Sequence, residues 1–109
     1  MMPEQSYCYI WEFIVKDGAN NHFEDFYGDE GDWVQLFTMG AGYIRTELVQ
    51  DQTDPQRYLT VDYWNTEEDF HEFKKIFGKE YLALDKECNG LILKERKIGE
   101  FANLNTAFH

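Results

Sequence analysis

The sequence predicts a single α+β domain in which a βαβ unit is repeated around a four-stranded antiparallel sheet, and three observations lead there. Tyr7 to Lys16 is a run of aromatic and β-branched residues that is apolar on both of its faces. Apolar residues change from strand spacing to helical spacing twice, once after Asn20 and again after Thr66. Two short runs, Tyr43 to Gln50 and Arg57 to Trp64, flank a polar, Pro-containing turn from Asp51 to Gln56, as the arms of a hairpin do. The order strand, helix, strand, strand, helix, strand is the ferredoxin-like, split βαβ (βαββαβ) arrangement.

Each element has its own local reason. The first strand carries Tyr7, Tyr9, Trp11, Phe13 and Val15 on one face and Cys8, Ile10, Glu12 and Ile14 on the other, and Asp17-Gly18 ends it as a turn pair. From Asn20, Phe23, Phe26 and Tyr27 fall at helical spacing; the glycines Gly28 and Gly31 break the helix, and Trp33, Leu36 and Phe37 continue it until Gly40 and Gly42. In the hairpin's second strand, Leu59, Val61 and Tyr63 face one way and Tyr58, Thr60, Asp62 and Trp64 the other. Asn65 or Thr66 suits the N-cap of a second helix, Thr66 followed by Asp69 fitting a capping pattern, and Glu67 and Glu68 suit the positive end of a helix dipole. That second helix aligns Phe70, Phe73 and Phe77, pauses at Gly78 and resumes through Tyr81, Leu84 and Cys88 to Gly90. Leu91 to Ile98 is the last strand. The stretch from Glu100 to His109 is too mixed to assign, although Phe101, Leu104 and Phe108 are suited to lie against the domain or a partner.

Bulk properties narrow the function classes. At 109 residues the chain makes one domain with a core of about residues 7–101 and a tail at 102–109. An aromatic content of 17% rules out a disordered chain. A formal net charge of -11 leaves no basic surface for phosphate backbones or anionic lipid, so neither nucleic acid nor a membrane is expected as a partner. Cys8 and Cys88 lack CxxC spacing, and no leader-like stretch opens the sequence, so a reduced, cytoplasmic protein is expected.

A first strand with bulky apolar residues on both faces needs both faces covered. The helices of a ferredoxin-like domain cover only one. Two sheets paired face to face about a two-fold axis cover the other, so a homodimer is expected; a monomer whose helical region or tail folds over the second face is the alternative.

The run Arg57-Tyr58-Leu59-Thr60-Val61-Asp62-Tyr63-Trp64, followed by Asn65, Phe70 and Phe73, resembles the third strand and second helix of antibiotic biosynthesis monooxygenase-like proteins. Gly42-Tyr43 with Thr46-Glu47-Leu48, and Glu95 with Ile98-Gly99, are similar to that family's flanking strands, so the likeness covers roughly residues 7–101. The resemblance implies a dimeric α/β barrel with a small-molecule pocket between sheet and helices. The family includes cofactor-independent monooxygenases, haem-degrading enzymes, isomerase-like relatives and proteins of unassigned activity. Of the haem-degrading pattern, an Asn on the first strand, a Trp ending the third and a His on the second helical region, only Trp64 is matched. Trp11 stands where the Asn belongs, and Lys79 to Asn89 holds no His, which disfavours haem degradation.

Trp11 and Trp64 are the candidates for pocket walls, since indole rings bind flat organic substrates, though an aromatic residue on a strand serves equally as core. Glu12 and Asp62 sit among apolar neighbours, where burial raises a carboxyl pKa and poises it as a general base toward an acidic phenol or enol. Arg45 and Arg57 stand within plausible reach to neutralise them instead. His22 and His71 are candidate proton carriers at a pocket rim, and surface exposure is their plainer reading. The candidate catalytic set is thus Glu12, Asp62 and His22, and the candidate ligand contacts are Trp11, Trp64, Arg45, His71 and Tyr81. No metal-ligand spacing, phosphate-binding glycine motif or nucleophile motif is present, so no cofactor is expected. Two functions remain open: a cofactor-independent monooxygenase acting on a small aromatic or polyketide-like compound, and a non-catalytic ligand-binding or stress-related dimer. A carboxylate or His facing the pocket unpaired separates them.

Overall fold

A computed structural model describes residues 6–104 of the chain. The elements follow in the order β1 (Ser6–Val15), α1 (Asn20–Tyr27), α2 (Asp32–Phe37), β2 (Tyr43–Gln50), β3 (Arg57–Trp64), α3 (Glu67–Ile76), α4 (Gly78–Cys88) and β4 (Ile92–Asn103), with one 3-10 turn before β4. The strands form one antiparallel sheet in the order β2-β3-β1-β4, which is the α+β ferredoxin-like topology. Among the described residues, the helices cover one face of this sheet.

The helix breaks fall where the glycines stand. Gly28 ends α1 by donating its backbone N–H to the Glu24 carbonyl at 2.9 Å, and Gly31 precedes α2. Thr66 caps α3, its hydroxyl accepting the Asp69 backbone N–H at 3.0 Å, and three acidic residues fill the first turn while Lys74 and Lys75 close the last. Gly42 adopts φ +91°, and a Cβ there would run into the Asp69 carboxylate; its carbonyl accepts the Asn65 N–H at 2.7 Å. These contacts fix the loop before β2 against the start of α3, across the mouth of the sheet.

β1 joins the two halves of the sheet. Its odd residues, Tyr7 to Val15, point under the helices, and four of the five are buried. An aromatic core follows: Phe13 packs on Phe23 and Tyr27, and Trp64 packs on Phe37, Phe70 and Phe73. Burying each such ring contributes on the order of 2–3 kcal/mol. The helical faces pack here because their apolar residues recur at helical spacing.

β4 runs five residues beyond Ile98, into the stretch whose sequence pattern is too mixed to assign. Pairing with β1 extends it: Cys8 stands opposite Phe101, and Ser6 opposite Asn103. A bulge separates the Ile10–Gly99 pair from the Trp11–Lys97 pair, which leaves Ile98 as the extra residue. Leu104 is exposed, and Phe108 lies outside the described residues. The outer face of the sheet carries Ile10, Ile14, Leu59 and Val61 at its centre, beside half-exposed Val49.

Candidate active site

A cavity of about 280 Å³ lies between the inner face of the sheet and the helices. Alternation along the strands decides its floor: Tyr9, Trp11 and Phe13 from β1 and Thr60 and Asp62 from β3 all point inward, with Thr46 of β2 beside them. Trp33 and Phe37 of α2 and Tyr27 of α1 form the aromatic roof. Lys74 of α3, Tyr81 and Asp85 of α4 and Glu95 of β4 complete the lining.

Asp62 is the deepest charged group in that lining, 6% exposed. Thr46 Oγ1 donates a short hydrogen bond to its Oδ1 and is itself hydrogen-bonded to Tyr43 Oη at 2.7 Å. No cation pairs with Asp62 among the described residues, and its Oδ2 has no protein donor there. Burial therefore dominates and pushes the carboxyl from its ordinary 3.8 up to about 7, with the Thr46 hydroxyl opposing the rise. At neutral pH such a group is divided between acid and base, which is where a proton-transfer catalyst works best.

Tyr9 stands directly across from Asp62 in the β1–β3 register and is 3% exposed. Trp64 donates its indole N–H to Tyr9 Oη at 3.3 Å. The tyrosine oxygen thus already accepts a bond, which leaves its own O–H available to donate. Burial and the neighbouring Asp62 hold Tyr9 well above the usual phenol range, so it stays protonated. The sheet presents a carboxyl base and a neutral donor side by side.

Among the sequence-derived candidates, Asp62, Trp11 and Tyr81 line the cavity. Trp64 does not: it is completely buried behind Tyr9, where it orients the tyrosine. Glu12 lies on the opposite face of the sheet and is no general base. Its oxygens accept hydrogen bonds from Arg96 and Arg57, each at 2.7 Å, and these guanidinium groups hold its carboxyl below the usual range. Arg45 also lies on the outer face, over the Tyr63 ring at 4.1 Å and beside Glu47 at 3.5 Å. Both arginines considered as partners for Asp62 are thereby on the wrong side of the sheet. His22 is exposed on α1, and His71 is exposed on α3 with its ring 3.1 Å from Glu67; neither lines the cavity. Tyr9, Thr46, Trp33, Lys74, Asp85 and Glu95 belong to the site although sequence reasoning did not single them out. The usable signal was alternation, since Tyr9 shares a strand face with Trp11, and Asp85 follows Tyr81 by one helical turn.

The family model for antibiotic biosynthesis monooxygenases matches residues 7–75. No curated protein sequence matches the chain. Among solved structures, SnoaB, a cofactor-independent oxygenase from Streptomyces nogalater, superposes with a TM-score of 0.76 at 17% identity, covering 94% of this chain and 97% of that one. A candidate antibiotic biosynthesis monooxygenase from Nitrosomonas europaea gives 0.73 at 16% identity, over 96% of each chain. A conserved protein from Methanosarcina mazei gives 0.68 at 12% identity, over 93% of this chain and 95% of that one. At such identities the likeness is one of fold.

Proposed function

The chain belongs to the antibiotic biosynthesis monooxygenase family, and from that premise we propose that it is a cofactor-independent monooxygenase acting on a small aromatic or polyketide-like compound. The observation that carries this reading is Asp62: a buried carboxylate with no counter-ion among the described residues, poised near neutrality inside an aromatic cavity. A receptacle has no use for such a group, because leaving it unpaired costs stability. The likeness to the SnoaB fold supports the same reading.

The chemistry places the electronic demand on the substrate. Asp62 Oδ2 removes a proton from an activated methylene flanked by aromatic rings or a carbonyl, and Tyr9 donates its hydroxyl proton as a hydrogen bond to the developing enolate oxygen. The carbanion gives electrons to O2 and forms a C–O bond, yielding a hydroperoxide once a proton returns. Loss of the remaining C–H proton to the base breaks the O–O bond and leaves a ketone and water. In balance, one methylene and one dioxygen become one carbonyl and one water, with all four electrons drawn from carbon and none from a cofactor. The aromatic walls and the enclosed cavity supply orientation and exclude water.

The test is oxygen uptake with a panel of hydroxyanthrones and acidic phenols across pH 5 to 9. Uptake should rise tenfold per pH unit below about pH 7 and then level off, following the Asp62 carboxylate, and Asp62→Asn should lower it by about a hundredfold or more. Uptake unchanged in Asp62→Asn would sink the assignment.

A homodimer is part of this proposal. The outer face centres on Ile10, Ile14, Leu59 and Val61, with Arg45, Glu47, Arg57 and Arg96 around it, the apolar centre and charged border of a protein interface. Two such faces apposed about a two-fold axis close the barrel. The two free thiols, Cys8 and Cys88, are both buried and fit a reducing compartment such as the cytoplasm. Among the described residues no helix is long and apolar enough to cross a membrane.

A further inference from the structure

The cavity is short of positive charge. Asp62, Asp85 and Glu95 all line it, and among the described residues none of the three forms an ion pair or a hydrogen bond to a cation. Lys74 is the one cation in the lining, and its Nζ lies over aromatic faces, 5.0 Å from the Tyr81 ring centre and 5.5 Å from that of Phe70. Lys97, nearby on β4, is held by Glu100 at 2.8 Å.

The three carboxylates act on a common volume. Besides its burial, Asp85, Asp62 and Glu95 in turn raise the Tyr81 hydroxyl, to about 12. Burial and then Asp85 push the Glu95 carboxyl up as well. Yet no three acid, His or Cys side chains among the described residues are placed to hold a metal ion, so the acids surround a space rather than converge on a point. Asp62 adds a sign of a missing guest: it lines the cavity while more than nine-tenths buried, and among the described residues no donor reaches its Oδ2. Trp11, Trp33 and Tyr81 also line the cavity, and aromatic rings attract organic cations.

We infer that the substrate carries a protonated amine as well as its aromatic ring, with the ammonium group held at the cavity rim by Asp85 and Glu95 and the ring lying inward toward Asp62. This deepens the functional reading and rests on the cavity being the substrate site. The ammonium group supplies the charge the lining lacks. A carboxylate in the same place meets two like charges at the rim and a third beneath. The overall charge of -11 draws a cation toward the protein and repels an anion.

Calorimetric titration of the full chain near pH 8 tests this with three probes that share a 4-hydroxyphenyl ring on a two-carbon chain: tyramine, 2-(4-hydroxyphenyl)ethanol and 3-(4-hydroxyphenyl)propionate. Tyramine should bind at least about tenfold more tightly than the alcohol, and the propionate more weakly than both. In the double variant Asp85→Asn with Glu95→Gln, tyramine and the alcohol should bind within about twofold of each other. Should that variant fail to fold, Glu95→Gln alone, at an exposed position on an edge strand, should lose part of the preference. The inference is overturned if the alcohol matches tyramine, if the propionate binds best, if none of the three binds, or if the preference survives the substitutions. Oxygen uptake is scored separately: amine preference without uptake from any phenol removes the oxygenase and leaves this inference standing, whereas uptake from neutral phenols without amine preference does the reverse.

Discussion

Replacing Asp62 by Asn should make the protein more stable, and by an amount that depends on pH. The carboxyl ordinarily loses its proton near 3.8 and here near about 7. Each tenfold change in proton affinity is worth about 1.4 kcal/mol. Above pH 7 the ionised side chain therefore costs the fold on the order of 4 kcal/mol. Between pH 4 and 7 the unfolded chain releases this proton and the folded chain keeps it, so stability falls as pH rises, by about 1.4 kcal/mol per unit, and is flat beyond. The asparagine side chain has the same shape, and its amide oxygen still accepts the Thr46 hydroxyl. Because its NH2 then faces the cavity and is solvated there, the expected gain is about 2–4 kcal/mol at pH 8 and close to zero near pH 4. Urea unfolding of both proteins at several pH values, at one fixed protein concentration, measures the gap directly. A variant no more stable than the parent at pH 8, or a gap that does not change with pH, would refute the reasoning.

Three other outcomes follow from the same geometry. Thr46→Val removes the hydrogen bond that opposes the rise of the Asp62 carboxyl, so the pH midpoint of oxygen uptake should move above about 7; a midpoint that falls or stays would contradict the assigned base. Glu12→Gln breaks the ties to Arg57 and Arg96 on the outer face and should leave oxygen uptake unchanged while lowering the melting temperature at pH 7. Because the folded Glu12 carboxyl lies below its ordinary 4.5, that stability difference should shrink as pH falls beneath this value, and a difference that grows would be inconsistent. Val61→Asp puts a charge at the centre of the outer face and should convert a dimer to a monomer in sedimentation velocity; a parent protein already monomeric would overturn the proposed pairing.

Local chemistry made much of the fold legible. The hairpin strands β2 and β3 begin and end at the residues their alternation and turn suggest, and the Thr66 cap and the Gly28 break follow from short-range bonding. The end of β4 escaped because Glu100 to Asn103 has no strand signal of its own; long-range pairing with β1 imposes it. The site divided along the same line. Asp62 and Glu12 look alike in sequence, each a lone acid among apolar neighbours, because β1 is apolar on both faces and does not say which face meets the helices. The fold then gives Asp62 a cavity and Glu12 two arginines. Asp85 and Glu95 were missed for another reason: on a polar helix and an edge strand they read as solvated charges, and only the closure of α4 and β4 around the cavity gives them a common role.

The three tryptophans stand in different relations to the cavity: Trp11 and Trp33 line it, while Trp64 is sealed behind Tyr9. Indole emission reports its immediate surroundings, so the chain carries two optical probes of occupancy and one internal standard. Phenylalanine at position 11 or 33 would remove one probe at a time, and the remaining signal would tell whether a compound has reached the sheet floor beside Trp11 or the helical roof beside Trp33. Ligands could thus be sought by their spectroscopic signature alone, before any turnover is known.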